Sequence, residues 1–246
     1  MGDIMSKEIA VLMAAGLGTR MRPLTENIPK PLVKVHGKPM IETVIDGLQR
    51  RGVEHIYIVV GYLQEKFRYL TRKYDNITLV ENKEYDVKNN ISSLYAVTDV
   101  LGQHDCFICE ADLYVSDDAI FSYELNQSCY YGKMVEGDSA DWVFDLGEDG
   151  LITRVGKNGT DAYNMVGISY WKQADAAVLS EEIKKSYKTL GCEQWFWDDV
   201  VNANLDKLAL HIQPVDAHQL VEIDSVSELA MIDPDYEKCN MVGVHR

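Results

Sequence analysis

Over the first 128 residues, short apolar runs alternate with amphipathic stretches. Residues 9–13 (IAVLM), 55–60 (HIYIVV), 77–80 (ITLV) and 105–111 (DCFICEA) are compact and apolar, the pattern of strands buried on both faces. Between the first two, Ile41, Val44, Ile45 and Leu48 recur at helical spacing and predict a helix over 39–51 that Gly52 ends. Helices are also expected over 62–74 and 90–101, the second capped by Asn89 or Asn90. This β-α-β-α-β-α-β order is that of a largely parallel sheet wrapped by helices, an α/β class. After residue 128 the rhythm changes. Short strands are expected over 130–135, 141–146, 151–155 and 164–171, with Glu148-Asp149-Gly150 as a hairpin turn. Helices over 174–187 and 195–208, strands over 210–214 and 220–223, and a helix over 225–232 capped by Ser225 follow. With no repeat or linker, one domain is expected over 1–246, with halves at about 8–128 and 129–232 and a tail over 233–246, loosest from 238.

The most distinctive stretch is 14–32, AAGLGTRMRPLTENIPKPL, directly after the first strand. Gly16 and Gly18 permit a tight turn with exposed backbone N–H groups. Arg20, Arg22, Lys30 and Lys34 then add positive charge, and Pro23, Pro29 and Pro31 forbid a regular helix and hold the segment extended. A glycine turn at a strand end followed by fixed basic residues suits a polyphosphate. It is not a P-loop, which needs G-x-x-x-x-G-K-[ST]. Nor is it the dinucleotide fingerprint of a dehydrogenase, because Met21 stands where a third glycine is required.

The formal net charge of −15 sharpens that contrast and argues against nucleic acid or an anionic membrane as partner. No apolar run approaches the length of a membrane span, and the first residues, MGDIMSKE, lack the apolar core of a signal peptide. Five scattered cysteines fit reduced thiols in a cytoplasm. Cys106 and Cys109 form a C-x-x-C, but three residues apart on a strand they face opposite ways, so both are expected in the core.

Asp112 and Asp224 each end an apolar strand, and two such carboxylates are what Mg²⁺ needs from protein when phosphate and water supply its other oxygens. Either is also placed to cap a helix. Lys30 is the first candidate for contact with a triphosphate and Arg20 the second, since phosphoryl-type transfer is mostly positioning and charge neutralisation. Lys34 and Lys38 read as a solvated face.

The ordered run G-x-G-T-R-M-R-P-L-T…P-K-P-L resembles the signature of sugar-nucleotide pyrophosphorylase-type nucleotidyltransferases. The segment N-K-E-Y-D-x-x-N-N-I-S-S (82–93) resembles the bacterial cytidylyltransferases that make CDP-choline, and the likeness runs from Ile9 to about Leu229. It implies a Rossmann-like nucleotidyltransferase fold, a mixed and mostly parallel sheet with a small substrate-covering β/α portion. It further implies a Mg²⁺-dependent transfer of CMP from CTP, with Asp112 and Asp224 on the metal. Leu12, Ala14, Ala15, Gly16, Gly18, Thr19, Asn89, Ser92 and Glu110 are then expected at the nucleotide. Trp142, Phe196, Trp197, Asp198 and Glu222 are expected around the acceptor's headgroup. Aromatic faces beside a carboxylate suit a quaternary ammonium, so phosphocholine is the first acceptor expected. The alternative is 2-aminoethylphosphonate, whose primary ammonium would use Asp141, Glu193, Asp198, Asp199 or Glu222; a sugar 1-phosphate comes third. A homodimer is also expected. A catalytically idle regulatory subunit would have lost Arg20, Lys30, Asp112 or Asp224, and all four are present.

Overall fold

The structure, a computed structural model, describes residues 7–237. In chain order the strands and helices are β1 (Glu8–Ala14), β2 (Lys34–Val35), β3 (Lys38–Pro39), α1 (Met40–Arg51), β4 (His55–Val60), α2 (Leu70–Lys73), β5 (Ile77–Glu81) and α3 (Ile91–Tyr95). They continue as β6 (Asp105–Glu110), β7 (Leu113–Val115), β8 (Cys129–Leu146), β9 (Ile152–Trp171), α4 (Gln173–Ser186), α5 (Trp197–Asn202), β10 (His211–Pro214), β11 (Leu220–Glu222) and α6 (Val226–Ile232).

One seven-stranded sheet, ordered β10-β8-β9-β6-β1-β4-β5, carries the chain. β1 lies between β4 and β6, parallel to both, and β5 adds in parallel to β4. β9 joins β6 antiparallel and brings in β8, so the sheet is mixed, as the sequence indicated. Helices cover both faces. α1 packs through Ile41, Val44, Ile45 and Leu48 on one side, with Leu12, Ile58 and Phe107 in the same cluster. On the other side Ile91, Leu94, Ala176, Leu179 and Val200 meet Val11, Val59 and Ile108. Gly52 ends α1 in the left-handed conformation and donates to the carbonyls of Leu48 and Gln49. Cys106 and Cys109 fall in opposite clusters, as strand alternation requires, and both thiols are free.

Several expected elements differ. Segment 14–32 is not extended: three 3₁₀ turns, Thr19–Met21, Leu24–Glu26 and Lys30–Leu32, fold it against the sheet end. Over 62–74 the chain makes a 3₁₀ run, Gln64–Tyr69, before the single turn of α2; its buried anchors Phe67 and Leu70 have the three-residue spacing of that helix. Of 90–101 only α3 is α-helical, and the rest is hydrogen-bonded turns where Val97, Thr98 and Val100 disfavour a helix. Helix 195–208 shrinks to α5 and a turn at Leu205–Lys207, with Asn204 donating its amide to the Val200 carbonyl at the break.

The four short strands of 130–171 are one long hairpin. β8 and β9, 18 and 20 residues long, pair with repeated register shifts, and Val143 pairs with both Gly156 and Asn164. The ribbon therefore doubles back as an arch. Its outer part, residues 136–138 and 140–141, is exposed, while Phe144, Ile152 and Val155 return to the core. The expected tail from residue 238 lies outside the described residues.

Candidate active site

Parallel strands β1 and β6 present their carboxyl ends side by side, and a cavity of about 950 Å³ opens there. The glycine loop forms its floor. Gly18 has φ of 61°, and a Cβ there would come within 2.9 Å of the Lys30 Cβ, so only glycine lets the lysine pass this close. The Thr25 hydroxyl and the Met21 N–H both donate to the Gly18 carbonyl, and the Tyr62 N–H donates to that of Ala15. At Gly16 a Cβ would meet nothing within 4 Å, so this backbone faces open cleft.

Three carboxylates gather at the same end. Asp112 follows β6, and β11 pairs antiparallel with β7 so that Glu222 stands opposite Leu113 and Asp224 lies just beyond. One oxygen from each of Asp112, Glu222 and Asp224 falls within 4.8 Å of the others. Lys30 Nζ donates to Asp112 and Asp224 at 2.6 Å each, and Arg20 donates to Asp224 at 2.8 Å. Burial by itself would lower the Lys30 pKa; the charges and hydrogen bonds of Asp112, then Asp224, outweigh it and hold the ammonium above its usual value. Crowding by protein atoms, then the charges of Asp112 and Asp224, push Glu222 up to about 7. Glu110 is raised well above the ordinary range, by burial first and then by Glu222, Asp112 and Asp198. Ser225, not Asp224, caps α6, through a capping box with Glu228, so the Asp224 carboxylate stays available to the cations. All-oxygen donors on a cluster this tight fit a hard dication such as Mg²⁺.

A second wall comes from 82–93. Asn82 is buried and donates to the Ser92 and Ser93 hydroxyls; Asn82, Asn89, Asn90 and Ser92 line the cavity. Neither asparagine caps α3 with its side chain. The Asn89 amide reaches the Gln194 carbonyl, and Asn90 Oδ1 accepts from the Trp197 N–H, which ties this wall to α5.

The third wall is the arch with the start of α5. Trp142 and Phe196 meet edge to face at 5.4 Å and line the cavity. Trp197 does not: it is 4% exposed, stacked on Tyr130 and packed against Trp171 in the core. Successive residues at a helix start point to different sides, so its neighbour Asp198 faces the cleft instead. Leu12 is likewise fully buried beneath the sheet, away from the cavity lining. Ala14, Ala15, Thr19, Glu110 and the other residues expected at the site line it, except Glu193 and Asp199; Asp199 accepts instead from the Phe196 N–H at the start of α5. The sequence reading missed Lys133, Lys157 and Asn164, which only the hairpin register brings here. Lys157 holds its ammonium 5.9 Å from the Trp142 ring and 5.6 Å from the Phe196 ring.

Asp198 is 3% exposed and accepts a hydrogen bond from the Tyr130 hydroxyl at 3.0 Å. Burial, with Asp199 adding, raises it to about 7 against that hydrogen bond. A carboxyl whose folded pKa lies above its unfolded value destabilises as pH rises through that window, and the penalty is complete above about 7. Asp198→Asn is therefore expected to raise the Tm of the ligand-free chain by roughly 5 °C at pH 8 and by clearly less at pH 5. Thermal unfolding at the two pH values checks this; equal gains would exclude charge burial as the cause.

Residues 9–142 match the nucleotidyl transferase family. The chain belongs to that family. It is 54% identical over 235 residues, 96% of both chains, to the 2-aminoethylphosphonate cytidylyltransferase of Lancefieldella rimae. It is 34% identical, over 91% of its length and 96% of the relative, to the choline-phosphate cytidylyltransferase of Streptococcus pneumoniae. The solved CTP:phosphocholine cytidylyltransferase from Streptococcus pneumoniae (LicC) superposes with a TM-score of 0.85 at 33% identity, covering 94% of this chain and all of that one. This nucleotidyl transferase is thus an enzyme of the cytidylyltransferase group with its Rossmann-like fold. Among its described residues no helix is long and apolar enough to cross a membrane.

Proposed function

We propose that the enzyme transfers CMP from CTP to 2-aminoethylphosphonate, releasing pyrophosphate. The observation that carries this reading is 54% identity along almost the full chain to a 2-aminoethylphosphonate cytidylyltransferase, against 34% to a choline-phosphate enzyme. It reverses the order of acceptors expected from the aromatic residues alone. The cleft supports the reversal. With Trp197 in the core, two rings remain at the wall, and Lys157 already lies beside both. What the wall adds instead is hydrogen-bond acceptors, among them Asp141 and Asp198. A primary ammonium donates three hydrogen bonds and uses such groups; a quaternary one donates none.

In this mechanism an ionised phosphonate oxygen of the acceptor attacks the α-phosphorus of CTP in line. The new phosphorus–oxygen bond forms as the bond to the β-phosphate oxygen breaks, and that electron pair leaves on pyrophosphate. No general base is needed, because the attacking oxygen is already deprotonated. The glycine loop holds the triphosphate through backbone N–H groups, and Lys30, already placed between Asp112 and Asp224, with Arg20 beside it, offers its charge to the phosphate oxygens. Asp112, Glu222 and Asp224 would hold Mg²⁺, which when bound neutralises phosphate oxygens.

The test is pyrophosphate release with CTP and Mg²⁺ and either acceptor. At least about a tenfold higher kcat/KM for 2-aminoethylphosphonate is expected, the value of one well-placed hydrogen bond to a charged group. Preference for phosphocholine, or silence with both, overturns the reading.

A further inference from the structure

Asn164 lies on β9 where the arch folds back, paired in the ladder with both Lys133 and Val143. It lines the cleft and is 7% exposed. Its Nδ2 donates to the Ser139 hydroxyl at 2.8 Å and to the Asp141 carboxylate at 3.3 Å. Its Oδ1 is the one buried side-chain polar atom among the described residues with no hydrogen-bond partner. Chemistry fixes which way the amide faces. Reversed, its oxygen would lie against the Asp141 carboxylate, two acceptors with no proton between them. Folded chains leave few such atoms unpaired, and an orphan acceptor on the wall of a binding cleft is completed by a donor on the ligand.

The surroundings say what kind of donor. The carboxylate of Asp141 shares the same amide and is the charged group bonded to it; Lys133, paired with Asn164 in the ladder, and Lys157, beside the Trp142 ring, also line the cleft, so an ammonium at Oδ1 is held by Asp141 against two nearby cations. The glycine loop and 82–93 line the same cavity but supply none of this amide's partners, which are Ser139 and Asp141. We propose that Asn164 Oδ1 accepts a hydrogen bond from the acceptor's ammonium group, which makes Asn164 a residue that selects primary over quaternary headgroups. This assignment rests on the acceptor class proposed above. In the ligand-free chain Oδ1 is closed to water, so the proposal requires the wall beside it to open as a headgroup enters.

The test uses four acceptors, 2-aminoethylphosphonate carrying zero, one, two or three N-methyl groups, with the wild-type enzyme and with Asn164→Ala. In the wild type, kcat/KM falls as N–H groups are lost, by roughly tenfold to a hundredfold over the series. In Asn164→Ala the primary amine loses most of that advantage, activity with the trimethyl compound stays within about threefold of wild type, and the KM for CTP is unchanged. A purely structural role in holding Ser139 and Asp141 would lower all four acceptors together, and that result overturns the proposal. So does a wild type that shows no preference along the series, a result that needs no variant. If the variant does not fold, the structure of the wild type with 2-aminoethylphosphonate decides. A nitrogen within hydrogen-bond distance of Asn164 Oδ1 supports the assignment, and one beyond 3.5 Å removes it. An enzyme silent with every acceptor fails the functional reading and takes this assignment with it, whereas uniform loss in the variant alone fails only the assignment.

Discussion

Replacing Lys30 with methionine is expected to lower kcat by about a thousandfold, the scale of a preorganised cation lost from a site of phosphoryl-type transfer. The side chain is 9% exposed and its ammonium bridges Asp112 and Asp224, so its position is set before any ligand arrives. Methionine keeps the length and apolar stem but removes the charge, which separates electrostatics from packing. A second effect follows from the same geometry. Without its internal cation the cluster of Asp112, Glu222 and Asp224 gains affinity for added Mg²⁺, while turnover falls. Pyrophosphate release and Mg²⁺ titration of the ligand-free variant measure the two. Turnover within tenfold of wild type would remove Lys30 from the chemistry.

Asp112→Asn has the other large effect expected. Asparagine keeps an oxygen for the Lys30 ammonium at nearly the same place, so the fold should survive, but the ligand set loses one negative charge of three. A fall in kcat of about a hundredfold or more is expected, with the Mg²⁺ needed for half-maximal rate rising at least about tenfold. A rate profile over Mg²⁺ concentration checks both. Unchanged Mg²⁺ dependence would take Asp112 out of the metal site even if the rate dropped.

The sheet core was legible because its signals are local. The run 55–60 and the spacing of Ile41, Val44, Ile45 and Leu48 each specify an element whose neighbours bury it on schedule. The glycine loop and its cations were legible for the same reason, since contiguous chemistry marks them. What a sequence hides is pairing between distant segments. Glu222, expected beside the acceptor's headgroup, instead joins the carboxylate cluster, because β11 pairs with β7 and sets it beside Asp112. Asn164 is an ordinary polar residue until the ribbon doubles back and leaves its oxygen without a partner. The hairpin itself was broken into pieces because Gly137, Gly156 and Gly159 and the charges between them interrupt the apolar alternation that signals a strand. In the aromatic cluster, composition was visible but direction was not: Trp195, Phe196 and Trp197 are three consecutive rings, and which faced outward depended on where α5 began.

The arch has a consequence for how such an enzyme changes over generations. Its two feet are clamped, one through β9 to β6 and β8 to β10, the other through Phe144, Ile152 and Val155 in the core. The span between them contributes little to that core, so adding or removing a few residues there costs about 0.6 kcal/mol of closure entropy per doubling of its length. The glycine-loop end enjoys no such freedom, because Gly18 is wedged against Lys30 and the acids are held by strand register. Under the proposed function, inheritance can thus re-cut the span, trying new acceptors by insertion, deletion and drift, while the machinery for breaking CTP is passed on intact.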